Sequence, residues 1–266
     1  MQFGAMNFPV KPVLDEIEAF ARLGFDYIEL AMDPPMAHHS VLASAQKAIK
    51  EALTANGLGL VCHLPTFVTT ADLTKSLRRA SVAEMLRSME VAADLGAGKV
   101  VLHPSAAGGM GAFVLDEVKR YAFAFLTEMM AKAHCLGITI CLENMFPRNR
   151  LGVEPDDFKD FFEAFPPLKM TLDTGHANID DRRGRRLKTL VAEFGPRIGH
   201  LHISDNRGKV DDHLAVGQGT VNFADMARCL KHAGFDDTVT LEVFDADRSL
   251  LVQSRERIRA LFMDGP

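Results

Sequence analysis

An α/β fold, a single (β/α)8 barrel spanning residues 1–266, is the architecture this sequence predicts, and three observations predict it. Strand-like and helix-like segments alternate eight times along the chain. The strand-like segments are short, near-continuous apolar runs, as expected of a parallel sheet buried on both faces. Histidines and carboxylates recur at the C-terminal ends of those runs: His63, His103, Glu143, Asp173 and Glu242. An open doubly wound sheet is the alternative. It is disfavoured because no GxGxxG or phosphate loop follows the first strand.

The first strand covers residues 2–6, and a helix over 11–24 follows, with Val13, Leu14, Ile17 and Phe20 at helical spacing and Gly24 as the stop. Strand two, 27–30, leads through a Pro-rich loop to a helix over 40–55. Strand three, 58–63, precedes a long loop and a helix over 73–95. Strand four, 99–103, gives way to a Gly-rich loop at 105–111 and a helix over 114–136. Strand five, 139–143, is followed by a loop with Pro147 and Pro155 and a helix through Phe162. Strand six, 169–173, precedes a helix around 187–194. Strand seven, 198–203, leads through a long loop to a helix over 223–233. Strand eight, 238–243, feeds a last helix over 250–262.

Composition narrows the function. With 47% hydrophobic and 24% charged residues, the chain can bury a sizeable core. A net charge of −5 argues against a generic nucleic-acid or anionic-membrane surface. Cys62, Cys135, Cys141 and Cys229 form no CxxC pair and read as reduced thiols, so a cytoplasmic protein is expected. The first ten residues lack a basic segment followed by an apolar one, so nothing suggests secretion. No apolar run approaches the roughly 20 residues of a membrane span.

The densest chemistry lies in one stretch. It runs from His200, His202 and Asp205 through Asp211, Asp212 and His213 to Gly217-Gln218-Gly219. A packed core has little use for so many imidazoles and carboxylates, because each must be desolvated and then paired. On a barrel, residues at strand C-termini converge on one face, where the active site sits.

The segments VCHLP, VLHPS, CLENM, LDTGHANI, HLHISDNRGKVDDHLAVGQG and LEVF resemble those of the xylose-isomerase-like TIM-barrel superfamily. That superfamily holds sugar isomerases and epimerases together with the endonuclease IV, or AP endonuclease family 2, branch. In the epimerase branch the resemblance implies one divalent metal on Glu143, Asp173, His202 and Glu242. Such a hard site suits Mn²⁺, Mg²⁺, Co²⁺ or Zn²⁺ and would stabilise an enediolate. Glu143 and Glu242 would be the catalytic acid–base pair. His176 and Arg207 would hold substrate oxygens, with Phe67 covering a small pocket. The partner is then a small sugar or sugar phosphate, with no membrane and no nucleic acid; a homo-oligomer is left open.

In the nuclease branch the resemblance implies three zinc ions. His63 and His103 would hold one, with Glu143 bridging to a second on Asp173, His202 and Glu242. His176, Asp211 and His213 would hold the third. One to three ions per chain are therefore expected. Top-face chemistry speaks against DNA: the loop at 33–39 has no Arg or Lys, and the chain has no Trp. A basic run, Arg182, Arg183, Arg185, Arg186 and Lys188, follows strand six. It reads either as a solvated helix face or as an anion subsite for a sugar phosphate.

Overall fold

Side chains alternate across a strand, so every second residue of a barrel strand enters the barrel and the others face the helices. The computed structural model describes residues 1–181 and 183–263. Its strands are β1 (Gln2–Met6), β2 (Tyr27–Ala31), β3 (Gly59–His63), β4 (Lys99–Leu102), β5 (Thr139–Glu143), β6 (Lys169–Asp173), β7 (Ile198–Ile203) and β8 (Thr238–Leu241). They are parallel, pair in sequence order and close where β1 meets β8. The predicted barrel is thus the observed one.

The helices are α1 (Val13–Arg22), α2 (His39–Ser44), α3 (Gln46–Asn56), α4 (Lys75–Leu95), α5 (Leu115–Leu136), α6 (Asp156–Ala164), α7 (Thr174–Asn178), α8 (Arg185–Phe194), α9 (Phe223–His232) and α10 (Ser249–Met263). Outward strand residues such as Ile28, Leu30, Leu201 and Ile203 pack with helix residues such as Ile17 and Phe20 in one continuous core. That apolar burial is the main source of stability. No helix among the described residues is long and apolar enough to cross a membrane.

Two helices depart from expectation. The single helix anticipated over 40–55 is α2 and α3, joined at Ala45 (φ −104°, ψ 7°). The bend lets α2 pack on α4 while α3 packs on α1. The short α7 is an addition: Asp173 caps it by accepting the His176 backbone N–H at 2.6 Å. β4 and β8 stop at Leu102 and Leu241, so His103 and Glu242 lie just beyond the ladder.

Candidate metal and active site

Strand parity assembles the site. His63, Glu143, Asp173 and His202 are inward residues at or near the C-terminal ends of β3, β5, β6 and β7, with His103 and Glu242 one residue past β4 and β8. The nine predicted donors come together in three linked groups. Nε2 of His63 and Nε2 of His103 lie 3.2 and 3.1 Å from Oε2 of Glu143. Nδ1 of His202 lies 3.3 Å from Oε1 of Glu143, 3.2 Å from Oε1 of Glu242 and 3.7 Å from Oδ2 of Asp173. Nε2 of His176 and of His213 lie 3.2 and 3.0 Å from Oδ2 of Asp211.

Hydrogen bonds on the far side of the rings set which nitrogen faces inward. A carbonyl oxygen only accepts, so Nδ1–H of His63 donates to the Leu64 carbonyl at 2.8 Å. Nδ1–H of His176 likewise donates to the Asn144 carbonyl at 2.9 Å. Nε2 of each ring then faces a carboxylate, hydrogen-bonded to it here and free to bind a metal once its proton is displaced. Asp173 divides its work: Oδ1 caps α7, while Oδ2 is buried with no hydrogen-bond partner among the described residues. Oδ1 of Asp211 and Nδ1 of His213 are in the same state. Imidazole nitrogens and carboxylate oxygens facing one another across a buried space fit a divalent cation.

The electrostatics agree. Burial favours the protonated form of Glu143, but His202 and His103 outweigh it and hold the carboxyl well below its usual range. Burial raises Asp173 to about 8, with Glu242 and Glu143 adding to the rise against the opposing His176. Burial opposes a charge on His202, yet Glu242 and Glu29 push its pKa well above the ordinary value. This is what crowded carboxylates do when protons must stand in for a cation.

One functional layer was not anticipated. Glu29 enters the barrel from β2, fully buried, with Oε1 3.0 Å from Nε2 of His202 and Oε2 2.8 Å from Nε2 of His200. The Thr240 hydroxyl also donates to Glu29, and Tyr27 and Thr240 share a hydroxyl hydrogen bond of 2.8 Å. His200, two residues before His202, therefore lies one layer below the donors and does not line the cavity. The signal was a glutamate inside the apolar run Tyr27-Ile28-Glu29-Leu30-Ala31.

The loop after β7 delivers Asp211 and His213. Its base is closed by paired backbone hydrogen bonds between Asp205 and Leu214, at 2.8 and 2.9 Å. The buried Asp205 carboxylate accepts the backbone N–H groups of Asn206, Gly217, Gly219 and Val221 at 2.8–3.0 Å. Gly219 passes so near Asp205 and the Asn206 carbonyl that a Cβ there would collide with both. Next to this base, His213 adopts the left-handed region at φ 46°, a costly conformation for a residue with a side chain.

Above the donors lies a cavity of about 440 Å³. Its walls are apolar, with Phe8, Phe67, Phe146 and Phe244 around donors that include His176 and Asp211. Phe67 is 90% exposed at the mouth. Among the described residues, no lysine or arginine lines it. Arg207 is exposed and borders a separate depression with Asp180 and Lys209. The basic run is dispersed as well. Arg186 pairs with Glu154 at 2.9 Å and donates to the carbonyls of Ala177 and Ile179, and Lys188 pairs with Asp225 at 2.7 Å. Arg182 lies outside the described residues.

The model of the xylose isomerase-like TIM-barrel family matches residues 17–261. The chain belongs to this family. A solved D-tagatose 3-epimerase-like protein is 26% identical, with a TM-score of 0.87 over 98% of this chain and 97% of that one. An uncharacterised protein of Methanocaldococcus jannaschii is 28% identical over 249 residues, covering 91% of this chain and 83% of its own. A probable endonuclease 4 of Mycoplasma pneumoniae is 22% identical over 248 residues, covering 86% and 83%. Both branches expected from the sequence are thus represented among its relatives.

Proposed function

We propose that this xylose isomerase-like barrel is a divalent-metal-dependent isomerase or epimerase of a small sugar. One observation carries the reading: Glu143 and Glu242, which both line the phenylalanine-walled cavity, flank Nδ1 of the buried His202 with their Oε1 atoms. Glu143, Asp173, His202 and Glu242 would hold the metal, with Mn²⁺, Zn²⁺, Mg²⁺ and Co²⁺ all suited to such donors. When bound, the metal polarises the carbonyl and hydroxyl oxygens of a ketose and so acidifies the adjacent C–H. One of the two glutamates takes that proton, and the other returns one to the opposite face or to the neighbouring carbon. Carbon changes configuration or the carbonyl moves, with no net redox change. His176 stands where it can hold a substrate oxygen, and Phe67 covers the mouth. Arg207 has no part in this proposal. A lining without lysine or arginine among the described residues favours an unphosphorylated sugar. Similarity to the D-tagatose 3-epimerase-like protein supports the class.

The test is solvent deuterium exchange. Metal-loaded protein is incubated in D₂O with a panel of free ketoses and ketose phosphates, and the products are read by NMR and chromatography. The expected result is deuterium at the carbon next to the carbonyl of a free ketose, with formation of its isomer. No exchange with any sugar would reject the proposal.

A second reading is favoured by a separate observation, the gathering of all nine donors into three linked groups. That arrangement suits a trinuclear zinc phosphodiesterase acting on abasic DNA. Zinc-loaded protein that cleaves an abasic duplex and leaves every sugar unchanged would move the assignment there.

A further inference from the structure

A second set of donor side chains meets away from the cavity, between the connection that follows β2 and the long helix α4. His38 ends that connection, His39 opens α2, and Glu84 projects from α4. Nε2 of His38 lies 2.6 Å from Oε1 of Glu84, and Nε2 of His39 lies 3.2 Å from the same oxygen. All three donor atoms are within 4.8 Å of one another. The side chains are 31%, 13% and 27% exposed, so the cluster rests on the fold and keeps one side open to water. We infer that His38, His39 and Glu84 form a peripheral site for a zinc-class divalent ion, which clamps the β2–α2 connection onto α4.

The geometry suits such an ion. Bonds of 2.0–2.1 Å to a tetrahedral zinc set its donors about 3.3 Å apart, near the 3.2 Å from His39 to Glu84, while the 2.6 Å hydrogen bond between His38 and Glu84 opens to admit the ion. The fourth position would fall on the open side, where water completes the shell. Two imidazoles and one carboxylate favour zinc, cobalt or nickel over magnesium or calcium, which prefer oxygen donors. The far side of the His38 ring is also provided for. Its Nδ1 accepts the Ser40 backbone N–H at 3.3 Å and lies 2.8 Å from the Ser40 hydroxyl, so the ring proton sits on Nε2 facing Glu84, where a metal ion would displace it. The donors come from two elements brought together by tertiary packing, so the fold itself pays the cost of gathering them.

A clamp here would act on the cavity from outside. The same connection carries Asp33, which lines the cavity and accepts hydrogen bonds from the Thr66 backbone N–H and hydroxyl at 3.1 and 2.8 Å. Thr66 immediately precedes Phe67 at the mouth. An ion fastening residues 38 and 39 to α4 therefore steadies the segment that holds the rim. The site is independent of the proposed sugar chemistry, because none of its three donors lines the cavity.

Zinc bound per chain at micromolar free zinc is measured by competition with a chromophoric chelator. Wild type, Glu84→Gln and His39→Gln are compared, each shown folded by circular dichroism, and thermal midpoints are recorded with and without zinc. We expect each variant to hold one zinc fewer than wild type and to gain less thermal stability from zinc. Equal zinc counts in wild type and both variants overturn the site, whatever number the central donors hold.

Discussion

The Glu29 carboxylate lies 3.0 Å from Nε2 of His202, while Nδ1 of the same ring faces Glu143, Asp173 and Glu242. One imidazole thus joins a buried anion below to the donor group above. Glu29 fixes the tautomer and the ring plane, as carboxylates behind metal-binding histidines do. Glu29→Gln keeps the shape and removes the charge that serves two rings. It should weaken binding of the central metal about 10–100-fold, measured by competitive metal titration. A fall in thermal midpoint with unchanged metal affinity would reduce Glu29 to a structural role.

Glu143→Gln and Glu242→Gln should each lower turnover by at least ~10²-fold while leaving the circular dichroism spectrum intact. Each substitution removes a proton-accepting carboxylate of nearly the same size. A near wild-type rate in either variant would defeat the two-carboxylate scheme.

The outer groups separate one essential metal from three. His63→Ala and Asp211→Ala should leave the Glu143–Asp173–His202–Glu242 metal bound and act mainly on KM. Elemental analysis of the purified variants decides the matter. Loss of all metal from the His63 variant would contradict a self-sufficient central site.

Metal removal should leave a signature in pH. Burial raises Asp173 from 3.8 to about 8, so the folded chain keeps a proton there that the unfolded chain releases above 3.8. Although burial opposes it, the Asp211 carboxylate raises His213 from 6.5 to about 9, and the stability gained is lost as pH climbs between those values. Both changes have the same sign. The thermal midpoint of chelated protein should therefore fall between pH 6.5 and 9. Excess Mn²⁺ should remove that fall, because a cation replaces the protons. A flat midpoint across the window in chelated protein would contradict this account.

Arg186 should prove structural. Its guanidinium ties Glu154 to the carbonyls of Ala177 and Ile179 at the C-terminal end of α7. Arg186→Gln should cost about 1–3 kcal/mol in denaturant unfolding, the scale of hydrogen bonds to a charged group. It should leave the ratio of activity on free and phosphorylated sugars unchanged. A selective rise in KM for the phosphorylated sugar would restore the anion-subsite reading of the basic run.

Much of this molecule is legible before folding, for physical reasons that differ by element. β5, β6 and β7 match their expected bounds residue for residue, because each is an apolar run ending at a donor or a polar loop. Six of the nine candidate donors are legible because a barrel turns strand ends into neighbours, while His176, Asp211 and His213 follow from their nearness in sequence to β6 and β7. Glu29 was missed because a charge within a strand acquires meaning only through its partners, and His200 is remote in sequence. The break at Ala45 has no Gly or Pro to announce it and follows from packing against two different helices. Arg207 shows the opposite limit: a loop residue near the right motif can still point to another depression.

The closure of the β7–α9 loop at Asp205 and Leu214 has a consequence for how such a barrel can be altered. Residues 206–213 form a closed excursion whose root is held by backbone bonds and one buried carboxylate. Asp211 and His213 ride on this excursion, with His213 next to its root. Exchanging the excursion for another sequence would remove these two groups while His63, His103 and the central candidate donors keep their places at the strand ends. Only the outer His176–Asp211–His213 group depends on the loop, so it can vary without rebuilding the core.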